Sequence, residues 1–311
     1  MTILLEKQSA QVLGSAYWER LRSLGRPFDT PVDLWVRSSA AWQSEPRSCV
    51  VAIVGTRRPT SYGLRFVADF VRELRAADSE AMIVSGGALG VDAWAHESAL
   101  REGLRTESWV VGPVRDPNPR SHRALFTAIA SRADGSAVIC PDSLEPVTGE
   151  TPFKSDWVER NAYLVARAQA VVVPEATERS GTWSSVRWAN RLGIPVFALP
   201  GPVDCTSSSG TNLMISSGYA HPVGGATKLI EDLVVEGVVA SYNDSRGATE
   251  KLVAIGELER RLCRSGGLQV VDLPGLSAQL GLKLETLCEY LLSELRSGKL
   301  RRVGNGFERR G

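Results

Sequence analysis

Short apolar segments alternate with helical segments six times along the middle of this chain, and this pattern constrains the fold more than any other feature. The apolar segments are continuous runs, which are typical of strands buried on both faces. We therefore predict an α/β fold: a Rossmann-like, mostly parallel sheet with helices on both faces. The predicted strands are CVVAIVG (49–55), AMIVSGG (81–87), SWVVGPV (108–114), SAVICP (136–141), AVVVPEA (170–176) and IPVFALPG (194–201).

The residues on either side of the predicted sheet domain (49–236) indicate three smaller parts. Residues 1–48 are predicted to form an N-terminal leader or helical extension, with a short edge strand over 31–37. Residues 237–250 are small and polar, as is typical of a linker. Three helical patterns and then two strand-like arms around Gly304-Asn305-Gly306 predict a winged-helix domain over 251–311.

Bulk composition excludes several classes of protein without identifying a ligand. The net charge is +1, so any argument for nucleic acid depends on where the basic residues lie. The five cysteines show no metal-ligand spacing, which predicts reduced, mostly buried thiols. The N-terminus carries charge early, and no window is apolar enough to cross a membrane. We therefore predict a soluble, cytoplasmic protein with no membrane partner.

Glycine and polar residues follow three of the predicted strands. In a doubly wound sheet the ligand lies beyond the carboxyl ends of the strands, where the first N–H groups of a helix can bind an anion. Glycine lets an oxyanion approach the backbone, although a tight turn alone also favours it. The candidate phosphate-binding residues in these loops are Gly55, Thr56, Arg57 and Arg58; Ser85, Gly86, Gly87 and Gly90; and Ser180, Gly181 and Thr182.

Arginines cluster at the same predicted edge, beside one tryptophan. The planar guanidinium group matches phosphate, and an aromatic ring near it suits single-stranded nucleic acid, whose bases are free to stack. Trp157 lies three residues before Arg160 and is the candidate for stacking; the alternative is a core aromatic of an amphipathic helix. The other arginines in or beside these loops are Arg115, Arg120, Arg123 and Arg179.

The fingerprints of nucleotide cofactors are absent from the sequence. SGGALG does not fit GxGxxG, and no glycine-rich loop ends in Gly-Lys-Ser/Thr. His96 has the position of a residue that packs its helix through a hydrogen bond, and no serine lies in a GxSxG context. Asp92 and Glu175 stay open as an acid/base pair or as ribose ligands. We predict a protein that holds its ligand without cleaving it, with no catalytic residue, metal or cofactor.

Several ordered motifs resemble those of the DprA/Smf (DNA-processing protein A) family. VAIVGTRRPTSYG resembles its VGSRxxTxYG opening, and SGGALGVDAWAH is similar to SGxARGIDxxAH. WVERN matches FPxRN, and AVVVPEATERSGTWSSVRWA is similar to VVVVEAxxxSGSLxTAxxA. VFALPGPVDCTSSSGTNLMISSGYA follows VFAVPGxxxxxxSxGxNxLIxxGA, so the resemblance covers about residues 17–225.

The resemblance implies a non-enzymatic protein that binds single-stranded DNA on a Rossmann-like sheet. It further implies protection of incoming DNA during natural transformation, loading of a RecA-type recombinase, a homodimer and, as in many members, a C-terminal winged helix. Matched by motif, the DNA-binding positions that it implies are Gly55, Arg57, Thr60, Ser85, Gly86, Gly90, Trp157, Arg160, Asn161, Ser180, Gly181 and Gly210.

Two departures from the family motifs keep other functions open. Leu89 and Ala162 stand where the family motifs have arginine, which predicts a pocket with less positive charge. One alternative is a nucleotide- or DNA-sensing protein of a defence or regulatory system. Another is a LOG-type phosphoribohydrolase that cleaves nucleoside monophosphates, but its PGGxGTxxE signature requires an acid that the loop after Gly181 lacks.

Overall fold

The fold is described from a computed structural model of the chain. It describes residues 3–39, 42, 44–46, 48–145, 152–240, 300–303 and 306–309. The chain divides into two compact units, Met1–Ala240 and Ser241–Gly311. Within the described ranges no helix is long and apolar enough to cross a membrane.

The first unit is built on a nine-stranded sheet with the order β1-β2-β6-β5-β4-β3-β7-β8-β9. The strands from β6 to β9 in this order are parallel, whereas β1 pairs with β2, and β2 with β6, in the antiparallel sense. The strands are β1 Leu4–Gln8, β2 Leu34–Ser38, β3 Val50–Ile53, β4 Met82–Ser85, β5 Arg105–Trp109, β6 Ala137–Pro141, β7 Ala170–Val173, β8 Val196–Ala198 and β9 His221–Pro222.

Helices connect the parallel strands and bury their apolar faces. In α2 the buried residues include Val67, Val71 and Leu74, as the helical spacing predicts. The helices are α1 Gly14–Arg22, α2 Ser61–Ala77, α3 Val91–Glu102, α4 Arg123–Ala130, α5 Lys154–Arg167, α6 Thr182–Arg191, α7 Thr206–Ser216 and α8 Ala226–Val235. The prediction of an α/β fold with a mostly parallel sheet is therefore confirmed.

The range predicted for the third strand is wrong. β5 covers Arg105–Trp109, not 108–114, and its polar side chains are buried. The buried Glu107 is tolerated because it has internal partners: both its carboxylate oxygens accept from the Arg167 guanidinium, at 2.9 and 3.0 Å, and Trp42 donates to the same carboxylate at 3.0 Å. A search for apolar runs cannot find such a strand.

Three smaller predictions also need correction. The strand predicted at the sheet edge over 31–37 is β2, which lies one position inside the edge because β1 covers it. Residues 1–48 contribute two strands and α1 to the first unit and so are part of the sheet domain. The helical pattern SHRALFTAIASR (121–132) predicts Ser121 as an N-cap, but a 3-10 turn at Arg120–His122 precedes α4, and His122 stands at its N-cap.

The second unit is described only at its final hairpin. β10 (Leu300–Val303) pairs with β11 (Gly306–Arg309) in the antiparallel sense, with Val303 opposite Gly306. The two predicted arms around Gly304-Asn305-Gly306 are thereby confirmed. The three predicted helices of the winged-helix domain, and residues 241–250 of the predicted linker, lie outside the described residues.

Candidate nucleic-acid interface

A pocket of about 430 Å³ opens at the carboxyl ends of β3 and β7, near the centre of the sheet. Since β3, β4 and β7 are adjacent and parallel, the loops that follow them meet at this edge. The sequence analysis predicts this convergence. Nine of its candidate residues line the pocket: Gly55, Thr56, Arg57, Trp157, Arg160, Asn161, Ser180, Gly181 and Thr182.

One face of α5 forms a wall of this pocket. Lys154, Trp157, Val158 and Asn161 all line it, and their spacing of three, four and seven residues places them on one side of a helix. Lys154 was missed by sequence reasoning, although this periodicity carries the signal. Trp157 lines the pocket and is half-buried, so its ring is not enclosed in the core as the alternative interpretation required.

Arg160 reaches the pocket from the same helix but is itself buried, with 5% of its surface exposed. Its Nη1 donates to the carbonyl oxygen of Trp109 at 2.6 Å, while the guanidinium carbon lies 5.6 Å from the centre of the Trp157 ring. A Cβ atom at Gly86 would lie 1.9 Å from Nη1. Gly86 is therefore needed so that this guanidinium can lie against the backbone.

The pocket concentrates positive charge that the protein does not neutralise by direct pairing. Burial lowers the pKa of Arg160 to about 10; the charge of the buried Asp92 opposes this effect, and the charge of Arg57 adds to it, since the two guanidinium groups repel each other. Arginine keeps its positive charge at neutral pH. Throughout the described ranges, no carboxylate lies within 4.0 Å of either group. An anion between them would relieve this repulsion.

Asp92 occupies the backbone donors of the first two glycine loops. Its carboxylate accepts from the N–H of Ala88 at 3.3 Å and is also hydrogen-bonded by the N–H groups of Gly55 and Gly86. Burial raises the pKa of Asp92, while the charge of Arg160 and these N–H groups oppose that effect. The sequence analysis expects the backbone N–H groups of these glycine loops to bind an external anion. In the structure, N–H groups of Gly55, Gly86 and Ala88 bind the internal Asp92 carboxylate instead.

Glu175 plays a similar part at the start of α2. It accepts from the backbone N–H and the hydroxyl of Thr60, at 2.7 and 2.6 Å, and from the Ser207 hydroxyl at 3.1 Å. Thr60 in turn caps α2 by accepting from the N–H of Tyr62 at 3.2 Å. Asp92 and Glu175 therefore hold loops in place, which gives each a structural role in place of the acid/base role left open by the sequence.

The third loop keeps its hydroxyl groups near the pocket but also uses its backbone donors internally. The N–H groups of Thr182 and Ser184 bond to the Ser180 hydroxyl and the Gly181 carbonyl oxygen, at 3.2 and 3.1 Å. Asn161 donates to the Ser184 hydroxyl at 2.7 Å. Contacts with a ligand are thus left mainly to the side chains of this loop and of α5.

The remaining candidate residues support the pocket from outside its lining. Ser85 is fully buried and donates to the Ile53 carbonyl oxygen at 2.6 Å. Gly87 and Gly90 have φ angles of 70° and 80°, which favour glycine. Gly210 is buried in α7, where a Cβ would lie 2.3 Å from the Thr177 carbonyl oxygen. Packing or backbone conformation therefore accounts for the residue type at each of these four positions.

The loop arginines contribute less to the pocket than the sequence suggested. Arg58 and Arg115 are exposed and do not line it. Arg120 and Arg123 share one carboxylate, that of Asp116, at 3.4 and 2.7 Å, which offsets part of their charge. Besides Arg160, the cation that α5 contributes to the pocket is Lys154.

His96 has the packing role predicted for it. Its Nδ1 lies 2.7 Å from the Thr106 hydroxyl, which donates to the Ile83 carbonyl oxygen at 2.9 Å. The Thr106 proton is thus used, so Nδ1 must carry the proton that His96 donates. His122 contacts the Gly87 carbonyl oxygen at 3.0 Å through Nδ1. Among the residues the structure describes, no group of histidine, cysteine or acidic side chains could hold a metal ion.

Comparison with known proteins places these features in a family. The model of the DNA recombination-mediator protein A family matches residues 11–234. A DprA-type protein of Mycobacterium tuberculosis is 33% identical over 234 residues, which are 75% of this chain and 57% of that protein. The DNA processing protein DprA of Streptococcus pneumoniae is 30% identical over 225 residues, 72% of this chain and 73% of that one. The chain thus spans little more than half the length of the M. tuberculosis relative.

Solved structures agree with the fold. DNA processing protein A from Helicobacter pylori, studied for its single-stranded DNA binding mode, is 27% identical with a TM-score of 0.59. The match covers 77% of this chain and 97% of that one. DprA from S. pneumoniae has a TM-score of 0.61 at 24% identity, covering 78% and 76% of the two chains. Both matches support the assignment of the α/β fold.

Proposed function

We propose that this chain, which belongs to the DNA recombination-mediator protein A (DprA/Smf) family, binds single-stranded DNA in the pocket at the carboxyl ends of β3 and β7. One observation carries the proposal: Arg57 and Arg160 line the same pocket, and no described carboxylate lies within 4.0 Å of either guanidinium group. A phosphate bound between them would be held by charge-assisted hydrogen bonds. The proposal for this chain also draws on the binding mode studied for the H. pylori protein.

The lining of the pocket favours a strand with bases over an isolated anion. Trp157 presents a ring beside the Arg160 guanidinium in the pocket that Arg57 also lines, and aromatic rings stack on unpaired bases with little sequence preference. Lys154 adds an exposed ammonium group on the same helix. Backbone phosphates would therefore meet the cations while a base stacks on Trp157.

Binding without cleavage fits the state of the two nearby carboxylates. Asp92 and Glu175 are the acids that sequence reasoning singled out, and their oxygens accept hydrogen bonds that hold the loops. A general base needs a free oxygen within reach of the substrate proton. We therefore favour a DNA-binding protein over a phosphoribohydrolase.

The wider role that we propose follows from the family. It comprises protection of single strands, loading of a RecA-type recombinase onto them and work as a homodimer, during natural transformation or recombination. The description of the family as a recombination mediator supports this assignment.

The test of DNA binding compares Arg57→Ala with the parent protein by fluorescence anisotropy, using labelled oligo-dT over a range of salt concentrations. Loss of one phosphate contact should weaken binding to all sequences alike and reduce the slope of log K against log salt by about 1. Arg58→Ala is the matched control, because Arg58 is the exposed neighbour outside the pocket. We expect it to change the affinity much less.

Two outcomes would count against the proposal. If the parent protein does not bind oligo-dT, the function is wrong. If Arg57→Ala keeps the affinity and salt slope of the parent, DNA lies elsewhere on the protein.

A further inference from the structure

We propose that the strand leaving this pocket places a second base in an adjoining apolar groove lined by Phe28 and Trp188. This groove, of about 490 Å³, lies on the other side of the start of α5. It is lined by Pro27, Phe28, Lys154, Ser155, Val158, Glu159 and Trp188. The inference rests on the proposed function, since it extends the same bound strand.

The groove is continuous with the pocket through α5. Lys154 and Val158 line both spaces, and they lie one helical turn apart. Lys154 is exposed, and no hydrogen bond or ion pair joins its ammonium group to any residue that the structure describes. A phosphate on Lys154 would therefore link a base stacked on Trp157 to the next base in the groove.

The aromatic groups of the groove are held in fixed positions. The Trp188 indole N–H donates to the Val158 carbonyl oxygen at 3.0 Å, and its ring meets that of Phe28 edge to face at 5.8 Å. The Arg191 guanidinium lies 4.9 Å from the centre of the Trp188 ring and donates to the Leu24 carbonyl oxygen at 2.7 Å. Rings that are already ordered lose little conformational entropy when a base binds.

The charges around the groove suit a base rather than a phosphate. Glu159 lines it, and a carboxylate repels phosphate but accepts hydrogen bonds from the N–H groups on base edges. The ammonium of Lys154 stands at the junction with the pocket, where the backbone of the strand would cross. An apolar slot with one acceptor and a cation at its entrance matches one nucleotide of a single strand.

The experiment measures the affinity of the full chain for oligo-dT of increasing length, in the parent protein, in Trp188→Leu and in Trp188→Phe. Short oligomers reach only the pocket, so all three proteins should bind them equally. Longer oligomers should bind the parent more tightly, and Trp188→Leu should lose about tenfold of that gain because stacking is lost. Trp188→Phe, which keeps a ring, should retain most of it.

Trp183→Leu is the matched control. Trp183 lies on the same helix α6, packs against the same core and has an arginine, Arg187, 5.9 Å from its ring centre, but it lines neither the pocket nor the groove. It should bind oligomers of every length as the parent does. Equal affinity for short oligomers also shows that each variant is folded.

The outcomes separate this inference from the proposed function. If Trp188→Leu gains affinity with length as the parent does, the groove holds no base and the inference is wrong, while binding of short oligomers still supports the pocket. A loss of the gain in Trp183→Leu instead of Trp188→Leu would place the strand on the other side of α6 and equally overturn it. Photocrosslinking of 5-iodouracil in a long oligomer should label Trp188 in the parent, because Trp188 is partly exposed whereas Phe28 is buried.

Discussion

Replacing Gly86 by alanine should displace the Arg160 guanidinium without changing any residue that lines the pocket. The new Cβ would lie 1.9 Å from Nη1, 2.6 Å from Cζ and 2.7 Å from Nη2. Ordinary contact needs ~3.5 Å, so the guanidinium must shift by ~1.6 Å or more. Its 2.6 Å hydrogen bond to the Trp109 carbonyl oxygen would break, at a cost of about 1.5–3 kcal/mol.

The effect on DNA follows from the same displacement. If Arg160 no longer faces the phosphate beside Arg57, one charge-assisted contact is lost and the affinity for oligo-dT should fall by roughly 10- to 100-fold. Gly224→Ala is the matched control, because Gly224 does not line the pocket, has no positive φ angle and would bring its Cβ no nearer than 3.5 Å to another atom. We expect it to bind almost as the parent does.

A double-mutant cycle with Arg160→Ala identifies the cause. Once Arg160 is truncated, a Cβ at position 86 meets no guanidinium, so Gly86→Ala should weaken binding no further. Anisotropy titrations of the parent, both single variants and the double variant, at one fixed salt concentration, provide the four affinities. Two equal and additive losses would refute the reasoning, as would an unchanged affinity in Gly86→Ala.

Two further predictions concern stability. Arg167→Leu leaves the buried Glu107 carboxylate without its ion-pair partner and should lower the free energy of unfolding, measured by urea denaturation, by about 3–5 kcal/mol. The double variant Glu107→Leu/Arg167→Leu should recover part of this loss, because it leaves no unpaired buried charge. A double variant with the same free energy of unfolding as Arg167→Leu would contradict the argument. Burial lowers the pKa of His96 to about 3, below its usual range, so the unfolded chain takes up a proton below about pH 6.5 that the native protein does not. Between pH 7 and 5 the parent should therefore lose about 2 kcal/mol of stability through this group, and His96→Gln should have a correspondingly shallower pH dependence; equal slopes would show that His96 does not titrate as argued.

The sequence allows the sheet and its ligand-binding edge to be predicted, because both depend on local signals. Continuous apolar runs such as Val50–Ile53 and Ala170–Val173 mark strands buried on both faces, and glycine with polar residues marks where they end. β5 escaped this reasoning because Glu107 is buried with a partner sixty residues away in the chain. A pairing over that distance leaves no local pattern.

The chemistry of the loops could not be read from their sequence for a related reason. Glycine loops before helices predicted backbone N–H groups free to bind phosphate. The Asp92 carboxylate instead accepts from the N–H groups of Gly55, Gly86 and Ala88. Only the folded chain shows which acceptor reaches these donors. Because the N–H groups are already bonded, we expect side chains to bind an external anion.

Leu89 and Ala162, which stand where the family motifs have arginine, both lie outside the pocket lining. Ala162 is fully buried, and it falls outside the face of α5 formed by Trp157 and Asn161. Leu89 is 45% exposed but does not line the pocket. Neither side chain is therefore a missing part of the lining. The positive charge of the pocket is carried by Arg57, Lys154 and Arg160, which are all present.

Because these three cations come from a loop and from one face of a helix, their effects on DNA should not be equivalent. Arg160 is held by Trp109 and by the space above Gly86, so its guanidinium is already ordered before any ligand binds. Arg57 and Lys154 are exposed and must lose rotamer freedom on binding, which offsets part of what each contact contributes. We therefore expect the proposed phosphate binding to depend most on Arg160, a preorganised, buried guanidinium with a like charge beside it.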